Sequence, residues 1–167
     1  MAEQSPSREK LESRARNVLL FQLSKGAKSK HQLREILVKR EIPSEIAEPL
    51  LDRFEEAGLI DDKAFADLLV NSRRTYKGQS KSAIRRELNR KGVAPEIIDV
   101  ALSDVTSEDE LETAKHLAEK KLRSMLSLTP EVQDRRLAGY LARKGYGGGT
   151  VYAAMRYARE QAVKSEF

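Results

Sequence analysis

Three groups of residues have side chains suited to chemistry. Gly145-Tyr146-Gly147-Gly148-Gly149-Thr150 is rich enough in glycine to cradle a phosphate. A phosphate-binding loop of the GxxxxGK[ST] kind, however, follows a strand and ends on a lysine that reaches the ligand. This run has neither, and a flexible turn is its expected role. Asp61 and Asp62 form a pair of hard oxygen ligands, but no further carboxylate or histidine accompanies them at ligand spacing, so helix capping is expected instead. His31 and His116 each stand alone within a charged helical segment, a surface placement with no partner for metal binding or proton transfer. No nucleophile motif surrounds the serines. The sequence has no cysteine, which rules out disulfides and thiolate metal sites and fits a reducing cytoplasm. The expectation is a protein that is not an enzyme and needs no metal or cofactor.

Positive charge is the chemistry that recurs. Between Arg73 and Lys91 lie eight cations, Arg73, Arg74, Lys77, Lys81, Arg85, Arg86, Arg90 and Lys91, against a single acid, Glu87. On a helix Ile84 and Leu88 set the buried direction, and at ~100° per residue Arg86 and Arg90 then point nearly opposite. Arg85 falls on the flank. Lys91 falls at the core edge, where its stem can pack while its ammonium reaches water.

The elements that carry these cations repeat. Leu33, Leu37, Lys39, Arg40 and Ile42 recur 51 residues on as Ile84, Leu88, Arg90, Lys91 and Val93. A further 53 residues on they recur as Leu137, Leu141, Arg143, Lys144 and Tyr146. Each copy has two apolar residues four apart, then two cations, then a turn, and such self-similarity marks a repeat architecture. Gly92 and Gly145 hold the turn in the second and third copies, and Glu41 stands there in the first. Apolar helices flank each copy on both sides. Each unit is therefore helix–helix–helix. Lys39, Arg90 and Arg143 share the outward position, Arg40, Lys91 and Lys144 the edge position, and Arg135 and Arg136 add charge to the outer face of the third unit. Stacked units would join these cations into a stripe suited to phosphate backbones or an acidic protein groove. Tyr76 and Tyr140 are the nearest aromatics, too few for base stacking to be a strong expectation.

Boundary chemistry fits the same division. Ser29 with Gln32, and Ser107 with Glu110, read as capping boxes. Asp61 can cap the helix of Phe65, Thr129-Pro130 opens another, and Ser44 and Pro95 start the third helices of units one and two. No stretch alternates with period two, so no sheet is expected. The predicted fold is all-α: a flexible arm over 1–10, then three tandem three-helix repeats over 11–60, 61–106 and 107–167.

Composition agrees. Of 167 residues, 34% are charged and 5% aromatic, which suits amphipathic helices with solvated outer faces. The net charge of +5 favours acidic partners only modestly. The first ten residues lack the apolar stretch of a signal peptide, and no segment approaches ~18 apolar residues. A cytoplasmic protein without a membrane segment is expected.

Residues 58–66, Gly-Leu-Ile-Asp-Asp-Lys-Ala-Phe-Ala, followed by Arg73, Gly78 through Ile84, Leu88, Lys91, Gly92 and Val93, resemble the central repeat of the RecX regulatory proteins. Ser29, Gln32 and Leu33 resemble that family's first repeat, and Arg136 through Tyr146 its third. Gln32 stands where the first repeat commonly has an acid, and the triple glycine replaces a more ordinary helix start in the third. The resemblance implies that the three tandem three-helix repeats form an elongated, curved array, and that the chain binds the recombinase RecA as a filament on single-stranded DNA, in the filament's helical groove. It implies restraint of ATPase, strand-exchange and coprotease activities, and hence of DNA repair, recombination and the SOS response, with direct DNA contact in some members. No heptad seam calls for a dimer, so a monomer is expected. The competing reading from the residues is a stand-alone helical DNA-binding protein, since three-helix units can resemble helix-turn-helix modules.

Overall fold

The computed structural model describes residues 4–166. Among them are nine α-helices and no strand: α1 (Arg8–Lys25), α2 (Lys30–Lys39), α3 (Ser44–Glu56), α4 (Asp62–Lys77), α5 (Lys81–Arg90), α6 (Pro95–Leu102), α7 (Ser107–Arg123), α8 (Pro130–Arg143) and α9 (Gly148–Lys164). No helix among the described residues is long and apolar enough to cross a membrane.

Local chemistry starts these helices. Ser29 and Gln32 form the expected capping box, each satisfying the other's backbone N–H. The Asp61 carboxylate accepts from the Ala64 N–H at 3.0 Å, α3 begins at Ser44, α6 at Pro95, and Pro130 occupies the first turn of α8. The cap of α7 lies one residue earlier than the sequence suggested: Thr106 and Asp109 form the box, not Ser107 and Glu110. The extended backbone of Thr106 suits the cap, while Ser107 is already helical. Glu110 accepts the Lys81 N–H instead. At the N-terminus the Ser7 hydroxyl accepts from Lys10 N, so α1 takes in Arg8, Glu9 and Lys10 of the segment expected to be a flexible arm. Residues 1–3 of that segment lie outside the described residues. The glycine run divides in two: Gly145 makes the turn at φ 97°, while Gly148 and Gly149 enter the first turn of α9.

The chain forms two compact units. One runs up to Leu68 and includes Leu88–Ile98. Its core gathers Leu19, Leu33, Leu37, Leu50, Leu51 and Phe54 from α1, α2 and α3. The other comprises Leu69–Glu87 and the chain from Asp99 onward. Here α7 and α9 pack through Ala114 and Ala118 against Ala154 and Ala158, small residues that let two helices approach closely.

Why 88–98 joins the first unit follows from one position in the repeat. Ser29, Ser80 and Gln133 recur at the spacing of the repeat, and they are the three buried polar side chains among the described residues. The Ser29 hydroxyl donates to the Lys91 carbonyl. In the second unit the Ser80 N–H donates to the Lys144 carbonyl at 2.9 Å. Each repeat's Lys-Gly turn therefore docks on the cap that opens the preceding repeat's middle helix. At the equivalent place Gln133 turns inward, and its amide donates to the Met125 carbonyl at 2.8 Å. The docking also explains the turn residues. A Cβ at Gly92 would overlap the His31 side chain, and one at Gly145 would overlap Ser80 and Ala83. Glu41 has the same left-handed conformation (φ 60°) but its side chain is exposed, so a side chain there costs only backbone strain, about 1 kcal/mol.

Candidate functional site

The cations divide into those that hold the structure and those that face water. Arg73, in α4, reaches α5 and donates to both oxygens of Glu87 at 2.8 and 2.7 Å. Both side chains are largely buried, and the bond to Glu87 raises the Arg73 pKa above its ordinary value. Arg74 donates to the Gln79 carbonyl and the Thr113 hydroxyl, both at 3.0 Å. The Lys81 ammonium donates to the Val105 carbonyl. Arg85 pairs with Asp99 at 2.6 Å, and Arg34 with Glu48 at the equivalent place in the first repeat. That hydrogen bond lifts the Arg34 pKa and lowers that of the Glu48 carboxyl. Lys91 is half-buried, with its ammonium over the Phe65 ring.

The remaining candidates are outward. Lys39, Lys77, Arg86, Arg90, Arg135, Arg136 and Arg143 are all exposed. The helical projection from the sequence placed Arg86 and Arg90 on the outer face of α5, and there they stand one turn apart, with Arg86 near the Ser82 hydroxyl. Lys144 is half-buried, its ammonium 5.6 Å from the centre of the Tyr140 ring. Of the thirteen cations singled out by sequence, then, the structure commits Arg73, Arg74, Lys81 and Arg85 to polar contacts that reach beyond their own helix, while Arg86 bonds only Ser82 within α5. A charge count along the sequence does not make that distinction.

The residues first considered for chemistry also have structural partners. Asp61 caps its own helix, and Asp62 accepts the Lys30 N–H at 2.9 Å. His31 contacts Glu35 at 3.1 Å and lies beneath the Gly92 turn.

Sequence reasoning missed a basic concavity in the second unit, about 450 Å³ in volume. The end of α4 contributes Tyr76 and Lys77, and α7 contributes His116, Lys120 and Lys121. Tyr140 and Lys144 close it, and no acid lines it. The signal was present in α7: Thr113, His116, Leu117, Lys120, Lys121 and Ser124 recur every three or four residues, as one helical face does.

Comparison with known proteins adds an independent line. Residues 61–102 match the family model of the RecX second three-helix domain, and residues 108–155 that of the third. The regulatory protein RecX of Streptomyces coelicolor is 46% identical over 156 residues, covering 93% of this chain and 82% of the relative. The regulatory protein RecX of Thermobifida fusca is 37% identical over 152 residues, covering 91% and 82%. A crystal structure of RecX from Lactobacillus salivarius superposes with a TM-score of 0.75 at 19% identity, covering 90% of this chain and 98% of that one, a likeness of fold. A second crystal structure, of a regulatory protein RecX, superposes at 0.73 with 27% identity, covering 89% and 73%.

Proposed function

The chain belongs to the RecX family of regulatory proteins, and from that premise we propose that it binds the RecA filament on single-stranded DNA and restrains its ATPase, strand-exchange and coprotease activities. Its place of action on this reading is the cytoplasm, and it acts as a monomer built of repeats over 11–60, 61–106 and 107–167.

The observation that carries the reading is the division among the cations. Lys39, Arg90 and Arg143 occupy one repeat position, and all three are exposed. Arg86, Arg135 and Arg136 are exposed as well. Each presents an exposed guanidinium or ammonium, with Arg86 donating only to the Ser82 hydroxyl of its own helix, so it can pair with carboxylates or phosphates on a filament surface. Repetition of such charges matches a partner that is itself periodic. The action is steric and electrostatic, and requires no reaction at the bound surface.

The test is a titration of the protein into preformed RecA filaments and, separately, into labelled single- and double-stranded DNA. DNA-dependent ATP hydrolysis should fall at protein concentrations where naked DNA is scarcely bound. Tight binding of naked DNA with no effect on the filament would replace this reading with that of a stand-alone DNA-binding protein.

A further inference from the structure

We propose that the basic concavity of the second unit is a nucleotide site, in which a phosphate group sits among Lys77, Lys120, Lys121 and Lys144 and a base stacks on Tyr76. This goes beyond regulation of the recombinase, because neither Arg86 nor Arg90 lines the concavity.

The walls are built before any ligand arrives. Arg74 bonds the Gln79 carbonyl on one side and the Thr113 hydroxyl of α7 on the other, fixing the end of α4 against α7. The buried Tyr146 hydroxyl donates to the Gly78 carbonyl at 2.7 Å, and burial pushes its pKa up, so it remains a neutral donor. Leu117 fills the space where a Cβ at Gly78 would lie, 2.9 Å away. Lys144 is held through its own carbonyl by the Ser80 N–H. The site is therefore preorganised, and ordering it costs a ligand little.

The charges within it are uncompensated. Among the described residues no carboxylate pairs with Lys77, Lys120, Lys121 or Lys144. Tyr140 gathers two of them, with the Lys121 ammonium 5.1 Å and the Lys144 ammonium 5.6 Å from its ring centre. Four cations around one concavity repel each other, and an anion placed between them relieves that repulsion. With its faces engaged by ammonium groups, Tyr140 positions the lysines. Tyr76 has the other role: 83% exposed at the rim, it offers a free π face at an entropic cost of only two side-chain torsions. An anion alone gives no use for an exposed tyrosine beside the lysines. A nucleotide uses both, and about 450 Å³ lies within the range of small-ligand pockets.

The chemistry is shared by a free nucleoside phosphate and by one nucleotide of a single strand, and the experiment separates them. Binding of fluorescent ATP and of a labelled ten-residue oligothymidylate is measured by anisotropy at low salt, for the wild type, Lys77→Ala/Lys120→Ala, Tyr76→Ala and Tyr76→Phe. All three positions substituted are exposed, so the fold should persist, and circular dichroism checks this. A site this small holds its ligand in about the micromolar to millimolar range, consistent with scarce binding to naked DNA at low protein concentration. The double lysine variant should lose about tenfold or more of the affinity. Tyr76→Ala should lose about tenfold, and Tyr76→Phe should retain it, because stacking needs the ring and not the hydroxyl. Binding of ATP marks a free nucleotide as the source, and binding of the oligonucleotide alone marks a strand. Wild-type affinity in Tyr76→Ala, or equal binding of inorganic polyphosphate or polyglutamate, would overturn the proposal and leave an unspecific anion surface.

Discussion

Arg85 and Arg86 are neighbours in α5, yet they offer a partner different things. Arg85 lies along the flank and bonds Asp99, as Arg73 bonds Glu87 nearby. Arg86 stands on the outer face, with Arg90 one turn further on, and both are exposed. Along the sequence the four look alike, members of one run of eight cations. In the fold two of them join helices and two remain available. Charge density therefore measures a surface only after the internal pairs have been removed from it. The Lys-Gly turns extend the contrast: the carbonyls of Lys91 and Lys144 anchor neighbouring repeats, whereas the cations just before them in sequence, Arg90 and Arg143, face solvent.

Substitutions on the two sides should separate stability from binding. The largest effect is expected at Gly145→Ala, where a methyl group meets Ser80 and Ala83 in a left-handed backbone. Unfolding in urea should show a loss of about 3 kcal/mol. Gly58→Ala is the control, because its φ is also positive but nothing lies within 4 Å, and it should cost about 1 kcal/mol. Equal losses would mean that the docked turn adds nothing beyond backbone strain. Next comes Glu87→Ala, which leaves the largely buried Arg73 guanidinium without its bidentate acceptor. A loss of roughly 2 kcal/mol is expected in the same assay. Asp99→Asn removes the partner of Arg85 in a pair whose side chains are 40% and 65% exposed. Water screens such a pair, so the change should stay below about 1 kcal/mol. Reversing Arg86 and Arg90 to Glu should alter stability by no more than about 0.5 kcal/mol, and helicity should be unchanged.

What could be seen in the sequence was what neighbours along the chain decide. The Ser29–Gln32 box, the helix starts at Ser44 and Pro95, and the outward direction of Arg86 all follow from spacings of a few residues or from the helical period. The repeat was visible because it copies both core and cations. Pairings across helices were not: Arg73 and Glu87, or Arg85 and Asp99, lie fourteen residues apart, and nothing local selects that acid. The substitution of Glu41 for glycine could be noticed but not explained until the turns of Gly92 and Gly145 were seen docked on earlier helices. The basic concavity is not legible along the chain, because Lys120 and Lys121 lie far in sequence from the run Arg73 to Lys91, in an α7 that carries acids on its other positions. Thr106 and Ser107 are adjacent hydroxyl residues that satisfy the same capping pattern, and only the backbone conformation selects Thr106.

The central claim is that the exposed cations, and not the paired ones, carry the interaction with the filament. Its most direct measurement is half-inhibition of DNA-dependent ATP hydrolysis by RecA, with wild type and R86E/R90E compared across a series of salt concentrations. The variant should need about tenfold more protein at low salt, and the gap should narrow as ionic strength rises and screens the exposed charges. Identical half-inhibition concentrations at every salt concentration, from a variant of wild-type helicity, would contradict the account.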